Sequence, residues 1–203
     1  MATTKKVNPM PYVGLERSIL YTVLNDSADS YEAGEILEFE KGSISTSFEV
    51  GAETTPFFAD NVTKINDVTY TPTASFGYAG DNADIDVMLY GKVKKGGAVL
   101  DNFGAVPVCG LIIVLNQGGG EFCVRQYLKF TATKDGTEVT TKSGTTTFTT
   151  PSATINPLHC TYFNSYTREF YSTDEAIAGM TAEQVVTALM EDVSHEFTTS
   201  QEA

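Results

Sequence analysis

The side chains able to do chemistry are few in this 203-residue chain, and their spacing decides what they are for. Histidine is the usual general base, and the chain holds two, His159 and His195. His159 adjoins Cys160, but neighbours on a strand point to opposite faces, so they make a poor nucleophile–base pair. His195 opens "HEFTTSQEA", which reads as a frayed tail. "DNADID" (81–86) has the acids of a calcium loop but lacks its glycine at the sixth position and glutamate at the twelfth. "NQGGGE" (116–121) lacks the Lys-Ser/Thr of a phosphate-binding loop and leads into a strand instead of a helix. Carboxylates pair at Glu38 and Glu40, Glu49 and Glu53, and Asp60 and Asp67, the residue type that glycoside hydrolysis needs. With 26 acidic residues in the chain, chance produces such pairs equally well. These patterns predict no enzyme, no cofactor and no metal site.

Charge excludes more. A protein that grips nucleic acid through phosphates needs clustered Lys and Arg. Here 13 basic residues are dispersed along a chain of net charge −13, which favours solubility and repulsion of polyanions. Cys109, Cys123 and Cys160 are odd in number and lack Cys-x-x-Cys spacing. They predict buried thiols in a reducing cytosol and no disulfide framework or zinc site. "MATTKKVNPMPYVGL" carries no apolar run of a signal peptide, and no stretch reaches the roughly 18–20 apolar residues of a membrane span.

The elements that would position a site are mostly strands. In "NDVTYTPTASF" (66–76), Val68, Tyr70, Pro72, Ala74 and Phe76 fall on one parity and a wall of threonine on the other. Pro72 inside that run marks an edge or a bulge. Residues 1–10 read as a mobile arm, 18–25 as the first strand, 26–35 as a polar loop, and 36–50 as two strands about Lys41-Gly42. "GAETTP" (51–56) reads as a hairpin tip. Residues 80–91 form a helix candidate capped by Asp81 and stopped by Gly91, with Ile85, Met88 and Leu89 on one face; a strand over 85–90 is the alternative. Strands 108–116 and 121–132 flank a glycine turn. Phe122, Val124, Leu128 and Phe130 share one face there, and Cys123, Arg125, Tyr127 and Lys129 the other. "TEVTTKSGTTTFTT" (137–150) predicts a threonine-rich hairpin. Residues 181–193 predict an amphipathic helix with a Thr181–Gln184 capping box.

The order of these features goes further than the composition. "MPYVGLERSILYTVLN", "SISTSFEVGAETTPFFADN", the threonine-alternating strand, an acidic-capped helix ending in "YG", "RQYLKF" and "TTKSGTTTFTTPSATI" follow one another. In this order the chain resembles the major tail tube proteins of long-tailed bacteriophages, over about residues 10–158. The resemblance implies a mainly β fold, a β-sandwich or half-barrel of the tail tube type with one flanking α-helix, followed here by a C-terminal helix. It divides the chain into an N-terminal arm (1–13), a tail tube β-domain (14–158) and a C-terminal extension (159–203).

The function it implies is that of a structural virion protein, not an enzyme, built in the bacterial host cytoplasm. Six copies form a ring, and rings stack into a tube whose acidic lumen passes DNA without specific binding. Its partners would be copies of itself and the tape measure, tail terminator and distal tail proteins, with no membrane and no cofactor. "FEVGAETTPFFAD" corresponds to the hairpin that builds the inner barrel. Ser45, Ser47, Glu49 and Asp60 are then lumen-side residues, and Glu53 a ring contact near the hairpin tip. Residues 1–13 and 26–35 correspond to stacking segments. The chain after Ile155 departs from the family pattern. A tube of a contractile or phage-derived injection machine shares the same fold; a stand-alone β-sandwich binding or decoration module and an acidic glycoside hydrolase are the readings outside it.

Overall fold

Alternating β-branched and aromatic residues put most of the chain into antiparallel strands, as the computed structural model describes for residues 9–39, 43–59, 62–104, 106–136 and 150–198, with the backbone alone at 44, 50, 52–59, 62–69 and 71. The strands are β1 (Tyr12–Asp26), β2 (Tyr31–Phe39), β3 (Ser43–Ala59), β4 (Val62–Tyr78), β5 (Val93–Lys95), β6 (Ala98–Leu100), β7 (Cys109–Gln117), β8 (Phe122–Lys134), β9 (Ser152–Pro157) and β10 (Thr167–Tyr171). The helices are α1 (Ala83–Tyr90) and α2 (Ala182–Glu191). The main sheet runs β2-β1-β7-β8-β9-β4-β3, with β10 pairing β8 beside β9, and β5-β6 form a separate small ladder.

This order forces the sheet to curl. β2 and β3 stand at opposite ends of it, yet only residues 40–42 separate them in the chain. The two edges therefore meet at that corner, where Phe39 of β2 packs edge-on against Phe76 of β4 with centroids 5.2 Å apart. Inside the curl, Leu20, Phe76, Leu111, Tyr127, Phe130 and Ile155 form one core, closed by Ile85, Met88 and Leu89 of α1. On the opposite face of β1, β7 and β8 a second core forms from Ile19, Tyr21, Ile112, Val124 and Leu128 with Ile177 and the Val185, Val186 and Leu189 stripe of α2. The C-terminal residues thus cover one whole face of the central strands. Gly110 of β7 is fixed by this packing: a Cβ there would come within 2.1 Å of the Tyr21 ring.

Several expectations change in the folded chain. β1 begins at Tyr12, inside the expected arm, because Tyr12 pairs with Gln117 and the Pro11 carbonyl accepts from the Gly118 N–H at 3.0 Å. The polar loop 26–35 shrinks to residues 27–30, a turn tied by Ser27 and Ser30. β2 starts at Tyr31, because that ring is buried while Glu32 and Glu35 face solvent. Residues 51–56 are not a tip but the middle of β3, with Gly51 paired to Thr71. Phe130 leaves the face of Phe122 and Val124: between Cys109↔Phe130 and Leu111↔Tyr127 the register slips by one residue in β8, so Phe130 joins Cys123 and Tyr127 in the inner core.

The helices follow their sequence signals more closely. α1 is capped by Asn82, whose side chain accepts from the Asp84 N–H at 2.8 Å, because Asp81 is drawn to Lys134 at 2.6 Å. Gly91 ends the helix at φ 68°. The capping box of α2 is formed as expected. The tail is docked as far as Thr198. Arg168 donates to the Val193 and His195 carbonyls at 3.5 and 2.5 Å, and Phe197 packs on Phe170 with centroids 5.3 Å apart. The threonine-rich 137–149 lies outside the described residues.

Candidate functional site

β3 and β4 pair along their whole length, but β9 pairs only with Ala74–Gly77 of β4. Pro72, which has no N–H to donate, lies just beyond that pairing. Among the described residues the hairpin from Thr73 back to Val62 is therefore a ribbon of two strands beyond the reach of β9. At the usual rise per residue, that length is about 40 Å.

The register sorts its residues into two faces. Ser45, Ser47, Glu49, Gly51, Glu53 and Thr55 stand opposite Gly77, Ser75, Thr73, Thr71, Thr69 and Asp67. The threonine wall and the expected lumen residues Ser45, Ser47 and Glu49 thus share one face. Ser45, Ser47, Glu49 and Thr73 are exposed, and the Ser47 and Ser75 hydroxyls hydrogen-bond at 2.8 Å. The other parity enters the core at its base: Thr46 Oγ1 lies 3.1 Å from the Tyr127 hydroxyl, and Phe48 packs on the Tyr127 ring. Farther out the same parity leaves the core, and Tyr70 is 57% exposed. Glu53 occupies the polar parity opposite Thr69, six residues before β3 ends at Ala59, so it is not at the tip. Asp60, the fourth expected lumen residue, lies outside the described residues.

From Ser45↔Gly77 to Thr55↔Asp67 this face carries hydroxyl and carboxylate residues and no histidine or lysine, and beyond it Phe57 pairs with Ile65 on the same parity. The other reactive groups are occupied structurally. His159 packs edge-on against Tyr166, while Cys160 turns inward and donates to Asp26 at 3.3 Å. Burial pushes the Cys109 thiol up to about 12 and raises the thiols of Cys123 and Cys160 as well. Among the described residues, no group of three or more His, Cys, Asp or Glu is arranged to hold a metal ion. A depression of about 280 Å³ is lined by Glu38 and Asp81, but each is engaged in an ion pair, Glu38 with Arg17 at 2.5 Å and Asp81 with Lys134 at 2.6 Å.

One buried ionic site was not foreseen from the sequence. Asp26, at the end of β1, accepts from Lys129 Nζ at 2.8 Å and from the backbone N–H groups of Thr161 and Tyr162 at 2.8 and 3.1 Å. Burial alone would raise its carboxyl. The Lys129 ammonium and the two N–H groups outweigh that and hold it well below the usual carboxylate range. The only sequence signal for it is a charged residue closing an apolar strand.

A scan against protein-family models finds no match, and a search of the curated proteins finds no significant relative. The chain's function must therefore be argued from its own geometry.

Proposed function

We propose that this chain is a tail tube subunit of a long-tailed bacteriophage. Copies close head-to-tail into hexameric rings, rings stack, and the polar face of the β3–β4 ribbon lines the bore. The observation that carries this reading is the ribbon itself. It is about 40 Å of antiparallel ladder with no neighbour but its own partner strand among the described residues, and from Glu49↔Thr73 to Thr55↔Asp67 its register puts hydroxyl and carboxylate residues on one face. An isolated two-stranded hairpin is marginal in water. Exposed strand edges invite pairing, and closing a barrel across copies removes them. A ring is the closed form of such a heterologous contact.

An acidic bore carries the sign of DNA phosphates, so it repels the duplex from the wall and lets it slide. The net charge of −13 supports that role. In this reading the protein acts in the virion, is assembled in the host cytoplasm, and meets the tape measure, terminator and distal tail proteins at its ends. Negative-stain microscopy across a concentration series, with light scattering, tests it. Six-fold rings or hollow tubes are the expected result. Persistent monomers, even when concentrated and seeded with a tail-initiation complex, overturn it in favour of a stand-alone module.

A further inference from the structure

Between α1 and β7 the chain makes an excursion that the tube reading does not use. β5 and β6 form a short hairpin whose residues are all exposed, including Val93 at 46% and Leu100 at 47%. Just after it, Phe103 is 100% exposed. A fully exposed phenylalanine beside exposed valine and leucine is the composition of an interface anchor. Its base is held in place. Lys92 pairs with Asp86 and Asp101 at 3.4 and 3.3 Å, and Lys94 pairs with Asp84, so α1 serves as a platform. Lys95, at the turn, has no ion-pair partner among the described residues. The excursion from Lys92 to Phe103 carries three lysines and one aspartate in a chain that is otherwise strongly acidic.

A surface of opposite character lies along the free edge of β2. Tyr31, Ala33, Ile36, Met190 and Val193 make the apolar part of a groove between β2 and the end of α2. Glu32, Glu191 and Asp192 are exposed on its rim, and none has an ion-pair partner among the described residues. On its open side β2 pairs with no strand among the described residues, so its main chain also offers donors and acceptors.

We propose that the 93–103 hairpin of one copy docks in the β2–α2 groove of a second copy, with Phe103 on the apolar floor and Lys95 against the acidic rim. The two surfaces differ, so the contact is head-to-tail and each subunit both gives and receives one arm. The proposal rests on the reading that this chain assembles with itself, and it names a contact distinct from the ribbon. Charge complementarity selects a second copy as occupant, because the basic, apolar arm and the acidic, apolar groove are presented by the same chain.

Two single-site variants, Lys95→Cys and Glu191→Cys, mixed and treated with a short bismaleimide, test it. The native thiols are buried, so only the introduced ones react. Each variant can be linked only between copies. A Lys95→Cys/Glu191→Cys dimer is expected, and none between Lys95→Cys and Glu175→Cys, an exposed control site. Phe103→Ser should raise the concentration needed for association by about tenfold or more. Lys95→Glu should weaken association, and Glu191→Lys in the same chain should restore it. Rings that form without the crosslink, and are indifferent to Phe103→Ser, overturn the arm contact and leave the tube reading standing. A crosslink without rings or tubes does the reverse. Monomers under every condition overturn both.

Discussion

β7 and the β3–β4 ribbon are both strands of one sheet, and they live in opposite environments. From Cys109 to Leu115, β7 is buried on both faces, one against the curled interior and one against α2 and the C-terminal residues. Its sequence, "CGLIIVL", is accordingly apolar without alternation. The ribbon alternates, and beyond Ala74 it has no third strand beside it among the described residues. A strand covered twice draws its stability from within the chain. A strand covered once contributes little to that stability and keeps a face for another molecule. The fold is thus held by the strands covered on both faces, and the ribbon is the part of the sheet left uncovered among the described residues.

The most severe way to break that comparison is to remove the ribbon. Replacing residues 53–69 by Asn-Gly joins the Ala52↔Tyr70 pair through a two-residue turn suited to a hairpin. On the tail tube proposal the shortened chain should form no rings or tubes where the parent does, while the denaturant midpoint shifts by no more than about 0.5 kcal/mol equivalent. A shortened chain that fails to fold would show the ribbon to be part of the folding unit. On the other side of the comparison, Leu189→Ala empties a fully buried position between α2 and the sheet. It should cost about 3 kcal/mol in urea unfolding. The surviving folded fraction should still assemble.

The same contrast explains what could be read from the sequence. α2 was legible because its capping box and apolar stripe are local signals, and both are formed. The face partition of β4 was legible because Ala74, Phe76 and Tyr78 all keep one parity and are all buried. Three features were not legible, each for a non-local reason. The extent of β3 was hidden because "GAETTP" looks like a turn, and only its ladder with 66–72 makes it a strand. The face of Phe130 depends on a bulge set by pairing with β7. The docking of His195 and Phe197 depends on Arg168, whose guanidinium lies 4.2 Å from the Phe163 ring centre and reaches back-bone carbonyls from across the fold. Of the candidate site, Ser45, Ser47 and Glu49 are brought onto the threonine face, whereas Glu53 is displaced from the tip by the length of the strand.

Asp26 sharpens the comparison through pH. It ties the turn at 160–162 to β1, so it belongs to the covered side of the sheet. Its folded-state pKa is depressed, so the unfolded chain takes up a proton at higher pH than the folded chain does. The stabilisation is complete above the ordinary carboxylate range, near pH 4, and drains away as pH falls below it. Asp26→Asn should lose about 2 kcal/mol at pH 7, because it leaves Lys129 without its anion. The gap between variant and parent should narrow between pH 5 and pH 3 on urea unfolding. A gap that stays constant would mean that the carboxylate charge contributes nothing there.

The smallest effects come from two exposed polar residues that look alike in the sequence and differ in position. Thr181 caps the helix that covers the second core, its hydroxyl accepting from the Gln184 N–H at 3.2 Å. Thr181→Ala leaves that N–H without its cap and should cost about 1 kcal/mol. Glu49 is exposed on the ribbon opposite Thr73. Glu49→Gln removes a charge from an exposed position that packs against nothing among the described residues, and thermal unfolding should move by less than about 0.5 kcal/mol equivalent. Equal effects at the two sites would erase the distinction between a covered sheet and a free ribbon. A loss at Glu49 exceeding that at Thr181 would mean that the ribbon's polar face is packed within the single chain, and the face would then be unavailable to line anything.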